Sequence, residues 1–176
     1  MKTLLLLSAL LTSSSLAGNI GEFHTTVGYM PDDTRTYGSL AFNGIFASTP
    51  VANHKVGLEF IYFEREIDDF LNVDLESPIL AINYEAEFKT RSNMDFYAGG
   101  GIGIQFHNLD SNIGTLSDDE AAFAQLKAGV RFHFSEHSSI NIGVRRLFFD
   151  EFSLLGVPDL NPDHQWGFEA GFSFRF

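Results

Sequence analysis

Apolar and polar residues alternate one by one along most of this chain. At the C-terminal end Trp166, Phe168, Ala170, Phe172, Phe174 and Phe176 alternate with Gln165, Gly167, Glu169, Gly171, Ser173 and Arg175. A strand sends successive side chains to opposite faces, so this period of two marks a strand between two unlike environments. The same pattern predicts strands over about 20–30, 37–48, 55–66, 78–88, 95–107, 121–134 and 139–149, ahead of the last at 164–176. The connections 49–54, 89–94 and 135–138 are short, whereas 67–77, 108–120 and 150–163 read as long loops. The first connection, 31–36, breaks this rule by being short.

Alternation alone leaves open which face is inside. A soluble barrel would turn its apolar face inward. Here that face is heavy in large aromatics, too bulky for eight strands to enclose. The other face carries Glu59, Glu85, Glu169, Lys127, Arg131 and Arg145 among Gly57, Gly101, Gly129, Gly143 and Gly171. That mixture suits a narrow, packed polar interior. Tyr29, Tyr62, Tyr84, Phe88, Phe134 and Trp166 stand near strand ends, where interfacial aromatic girdles belong. Lipid cannot satisfy a free backbone N–H or C=O, so such a sheet must close, the last strand on the first. The expectation is an all-β, eight-stranded antiparallel up-and-down transmembrane β-barrel over residues 18–176. Short turns then face the periplasm and long loops the outside.

The first residues read differently. Met1 and Lys2 give a positive start, Leu4 to Leu7 and Ala9 to Leu11 an apolar run, and Ser13 to Ala17 a small-residue exit. This is a secretory signal peptide over 1–17, cleaved after Ala17. Its apolar run is too short for an anchor, and no later segment is apolar for the roughly 18 residues a transmembrane helix needs. Acidic residues number 23 against 11 basic ones, a balance that nucleic acid would repel. Cysteine is absent, so no disulfide holds the fold.

The candidate chemistry starts inside the barrel. Glu22, Glu59, Glu85 and Glu169 on strands one, three, four and eight face Lys127, Arg131 and Arg145 on strands six and seven. Buried charges are costly alone, so these should pair into a network that plugs the lumen. The alternative is a narrow, porin-like ion path. The loops carry Asp68, Asp69, Asp74 and Glu76, then Asp110, Asp118, Asp119 and Glu120, then Asp150, Glu151, Asp159 and Asp163. Such oxygens suit Ca²⁺ or Mg²⁺, but no EF-hand spacing is present, and they read as a solvated acidic face. Phe70, Leu71, Phe152, Leu154 and Leu155 suggest lipid-edge packing or a partner surface. No metal ligand set and no cofactor is assigned. His107, His164, Ser111 and Ser117 lie toward the loop end, and His137, Ser138 and Ser139 in a short turn. No spacing fixes a nucleophile, base and acid as a trio. The chain therefore reads as non-enzymatic, with an outer-membrane lipid A-modifying enzyme as the alternative.

Four segments carry a family resemblance: 95–106 (DFYAGGGIGIQF), 126–134 (LKAGVRFHF), 136–147 (EHSSINIGVRRL) and 167–176 (GFEAGFSFRF). The chain resembles the small outer-membrane β-barrel proteins of the OmpA/OmpX type. Glu169, Gly171, Phe174 and Phe176 also resemble the C-terminal signal read by the barrel-assembly machinery. The resemblance implies a place in the outer membrane of a Gram-negative bacterium. Handling by periplasmic chaperones, insertion by the assembly machinery and contact with lipid and lipopolysaccharide follow from it. It further implies no enzymatic activity, and an envelope-structural or adhesion-type role with a host or surface ligand bound through the loops.

Overall fold

The computed structural model describes residues 21–32, 35–68, 73–111, 114–149 and 164–176. Eight strands run in order: β1 (Gly21–Met30), β2 (Arg35–Ser48), β3 (Ala52–Asp68), β4 (Val73–Phe88), β5 (Met94–Ser111), β6 (Gly114–His133), β7 (Ser138–Phe149) and β8 (His164–Arg175). Each pairs antiparallel with the next, and β1 pairs with β8 to close the barrel. The closing register sets Phe23 opposite Phe174 and Val27 opposite Ala170. No strand edge is left, so every strand finds partners on both sides, as a sheet in hydrocarbon requires.

The alternation of the sequence becomes an alternation of exposure. Val27, Ile82, Ile102, Leu126, Ile142 and Phe168 point outward and are exposed, while Asn43, Glu59, Asn83, Gln125 and Arg145 point inward and are buried. In this barrel the charged side chains are the core and the apolar ones the surface. That is the reverse of a soluble protein and the pattern of a transmembrane barrel.

Two expectations need correction. The stretches 67–77 and 108–120 are not long loops. β3 continues to Asp68 and β4 begins at Val73, while β5 reaches Ser111 and β6 starts at Gly114. The pairing runs on through Glu64 with Glu76 and Leu109 with Leu116, with bulges at Glu66/Asp68 and His107/Asn108. Above the hydrocarbon a strand needs no apolar face, so the signal that marks it lower down fades while the hydrogen-bonded ladder continues. Asp68, Asp74, Glu76, Asp110, Asp118, Asp119 and Glu120 therefore stand on strand extensions. Residues 1–17, Asp69, Phe70, Leu71 and the whole of 150–163 lie outside the described residues.

The second correction concerns the lumen, which is not uniformly polar. Met30, Tyr37, Ile61, Phe63, Ile79, Phe123, Leu147 and Phe149 meet inside as one apolar cluster. Phe149 stacks 5.7 Å from Phe123 and edge-on 6.2 Å from Phe63. These residues lie farther from the termini along their strands than inward charges such as Glu59, Lys127 and Arg145 do, so an apolar disc caps the charged interior on the loop side.

Candidate functional site in the barrel lumen

Below that disc the inward side chains form a continuous polar network. Its upper part is centred on Arg145 of β7. Arg145 Nε donates to Glu169 Oε2, Nη1 to Gln125 Oε1 and Nη2 to Glu59 Oε1, each at 2.7 Å. The other Glu59 oxygen accepts from Asn83 at 2.6 Å and from Gln125 at 2.8 Å. Tyr37 and Tyr97 donate to Glu169 at 3.2 and 3.3 Å, and Arg145 lies over the Tyr37 ring. One guanidinium thus joins Gln125 and Glu169 on the two neighbouring strands to Glu59 of β3 across the barrel.

The lower part, toward the termini, is centred on Arg131 of β6 and Lys55 of β3. Arg131 pairs with Glu87, with Glu85 at 3.0 Å and with Glu22 at 3.2 Å. Lys55 reaches Glu22 at 2.9 Å, Glu87 at 2.7 Å and Glu85 at 3.4 Å. Arg175 closes the mouth, bonding Glu22 at 2.8 Å and Glu87 at 3.0 Å. Lys127, between the two parts, lies 3.4 Å from Glu85. Five carboxylates and five cations thus face one another in the interior. The chain's excess of acid is not in this network, and Coulomb repulsion inside is correspondingly small.

All seven residues singled out from the sequence, Glu22, Glu59, Glu85, Glu169, Lys127, Arg131 and Arg145, sit in this network and are buried. Lys55, Glu87, Arg175 and His24 belong to it too and were not singled out. Their signal was parity: Lys55 shares the face of Gly57 and Glu59, and Glu87 that of Glu85. Of the residues resembling the assembly signal, Glu169 and Gly171 face inward, while Phe174 and Phe176 face outward.

Glycines give the tyrosines their route. A Cβ on Gly28 would stand 2.0 Å from the Tyr37 ring, and one on Gly143 would stand 2.3 Å from the Tyr97 hydroxyl. Gly28→Ala therefore displaces Tyr37 from Glu169. Overpacking of this kind costs about 1–3 kcal/mol. Urea titration of the folded barrel in micelles should show the loss, and an unchanged midpoint would disprove the contact.

The lumen has little free space. The cavity beside His24, Glu85, Lys127 and Arg145 is about 20 Å³, room for roughly one water molecule. A serine–histidine–carboxylate line does occur here. His24 Nδ1 is 2.8 Å from Ser173 Oγ, and its Nε2 faces Glu22. Ser173 is buried and also accepts from Asn141 at 2.5 Å, and the adjoining space does not admit an acyl substrate. The other hydrolase candidates are spread out. His107 and Ser117 lie on β5 and β6, on opposite sides of a bulge, whereas His164 starts β8 and pairs with Phe148. Ser138 and Ser139 begin β7 at the terminal end.

Among the described residues two clusters bring histidine and carboxylates within ligand distance: Glu22, His24 and Glu85, and Glu87, Asp95 and His133. Glu22, Glu85 and Glu87 already carry Lys55 and Arg131, so an entering cation would have to displace the ammonium and guanidinium groups. As built, the network links side chains from all eight strands.

No protein-family model and no curated protein sequence matches the chain. Solved structures do. The N-terminal β-barrel domain of Pseudomonas aeruginosa OprF aligns with a TM-score of 0.61 at 12% identity, covering 90% of this chain and 98% of that one. Ail, the attachment invasion locus protein of Yersinia pestis, solved with the heparin analogue sucrose octasulfate, aligns at 0.54 and 13%, covering 90% and 97%. The outer-membrane enzyme PagL aligns at 0.52 and 13%, covering 87% and 98%. The chain has the fold of the small eight-stranded outer-membrane barrels, the OmpA/OmpX type that its sequence resembles. Neighbours of this fold include both an attachment invasion locus protein and an enzyme.

Proposed function

We propose that this protein is an exported, non-enzymatic barrel of the bacterial outer membrane that presents an acidic end to the outside. Residues 1–17 are its cleaved signal peptide, and residues 18–176 are the mature barrel domain. The observation that carries this reading is the inverted burial, with apolar side chains facing out around a charge-balanced, closed lumen. Such a surface is stable only in hydrocarbon. The segment Glu169 to Phe176 serves as the signal for the assembly machinery. Most carboxylates outside the network fall in the strand extensions and connections away from the termini. That end therefore suits a cationic partner or bridging divalent ions.

Fractionation and gel mobility test the reading. The protein should enter the outer-membrane fraction and migrate faster unheated than boiled. A soluble periplasmic product would defeat it. Deleting 150–163 should lower adhesion to a cationic surface while leaving the mobility shift intact. Unchanged adhesion would remove the surface-interaction role.

The plug reading has its own outcome. The folded protein in a planar bilayer should show no steady conductance steps, because the cavity among the lumen charges has room for about one water. Sustained steps would favour the narrow pore. The enzyme alternative is separated by lipid A mass: no change is expected on expression, and loss of an acyl chain would overturn the non-enzymatic reading.

A further inference from the structure

Arg146 stands on the apolar side of the barrel. It follows Ile140, Ile142 and Val144 outward, and in register it sits between Leu126 of β6 and Trp166 of β8. Within the strand segments 21–30, 35–63, 78–88, 94–106, 121–133, 138–149 and 164–175 it is the one Lys, Arg, Asp or Glu on the outward face. Its guanidinium carbon lies 5.1 Å from both the Phe148 and the Trp166 ring centres. Its Nε is buried without a hydrogen-bond partner, and it has no ion pair among the described residues. A cation facing hydrocarbon is costly unless its head reaches the interface and an anion there. Arg146 is three residues from the end of β7, so its long side chain can reach the headgroup level of the leaflet on the loop side.

An apolar groove of about 760 Å³ lies beside it on the outer surface. Leu80, Ile104 and Phe148 wall it, and the small Ala122 and Ala124 form its floor. Phe148 is shared, bordering the groove on one side and stacking under the Arg146 guanidinium on the other.

We propose that Arg146 and this groove form a binding site for a lipid with a phosphate headgroup, the phosphate on the guanidinium and one acyl chain in the groove. The site rests on the reading that this face meets a bilayer. Phosphate is favoured because the guanidinium fork matches its oxygens two at a time. The net charge of the chain, −12, repels anions in general, so a local cation has to do the holding. A second copy of the chain is a poorer occupant, because a two-fold contact through this patch would bring two Arg146 side chains together.

Trp166 is the chain's single tryptophan and reports on the site directly. The full mature protein, folded in dodecyl maltoside micelles, is titrated with phosphatidic acid. Diacylglycerol of the same chains and inorganic phosphate are run in parallel. Phosphatidic acid alone should give a saturable change in Trp166 emission. R146Q should weaken it about tenfold or more, the factor carried by one charge-assisted hydrogen bond, and R146K should fall between. An equal response to diacylglycerol would overturn the site, as would an equal response to inorganic phosphate. An undiminished response in R146Q, or a response that follows cross-linked dimers, would do the same. Should the wild-type protein stay in the aqueous phase when detergent is replaced by vesicles, the membrane reading fails along with the site. Insertion without lipid discrimination defeats the site alone.

Discussion

Replacing Arg145 with methionine should lower the unfolding free energy of the barrel by about 3–5 kcal/mol, the usual result of breaking a buried pair from one side. Arg145 is 1% exposed. Its loss strands Glu59 and Glu169, which it neutralises from 2.7 Å, and frees the Gln125 carbonyl oxygen. Solvent compensates little, because the space beside it holds only about one water molecule. The double variant Arg145→Met with Glu59→Gln should recover part of the loss, since one of the stranded charges goes with its partner. Arg175→Gln at the mouth should cost less, because its side chain is 20% exposed and solvent screens what remains. Urea unfolding in micelles, followed by the mobility shift, measures all three. An Arg145→Met barrel as stable as the wild type would show that the network does not hold the fold.

The second large effect is on the other face. Ile142 lies mid-strand on β7, opposite Val130 and Ala170, and is 56% exposed. Ile142→Arg should destabilise the barrel in a bilayer by about 2–4 kcal/mol, the penalty for a charge at mid-depth on a lipid-facing strand. In a water-soluble barrel the same change at an exposed site would stay within about 0.5 kcal/mol. The two readings thus differ severalfold for one substitution. Unfolding in lipid vesicles decides between them, and a neutral Ile142→Arg would refute lipid contact. Arg146 is tolerated on the same face because it sits nearer the strand end and lies against Phe148 and Trp166.

The sequence carried most of this fold because each strand crosses between hydrocarbon and a polar core, and period two records that crossing at every residue. Where the physical contrast weakens, the record weakens with it. The outer parts of β5 and β6 pair Asp110 with Thr115 and Leu109 with Leu116, above any apolar environment, so nothing in their composition distinguishes strand from loop. The apolar disc was illegible for a related reason. Met30, Phe63, Leu147 and Phe149 are inward by parity, yet their apolarity matches the outward face. Phe148 and Phe149 stand side by side on opposite faces, and only the position count tells them apart.

The network shows the same limit. Glu59, Arg145 and Glu169 lie at strand centres where alternation is cleanest. Lys55, Glu87 and Arg175 lie near strand ends, where a charge is as readily assigned to a solvated turn. Their partnerships cross the barrel: Lys55 with Glu22 and Arg131 with Glu87 join strands that are not neighbours. Such contacts depend on closure and on the stagger of the strands, which no local pattern encodes. Arg146 is the converse case, a charge whose parity puts it outside, and it became informative only once the faces were assigned.

Hydrocarbon touching the apolar side of the strands is what makes the inverted burial stable. With no cysteine in the chain, single cysteines can be placed at Ile102, Ile142 and Glu136 and spin-labelled in the barrel reconstituted in vesicles. Relaxation by dissolved oxygen should exceed that by a water-soluble nickel chelate at Ile102 and Ile142, with the order reversed at Glu136 in the turn after β6. Chelate accessibility at Ile102 equal to that at Glu136 would mean the apolar face lies in water, and would contradict the account.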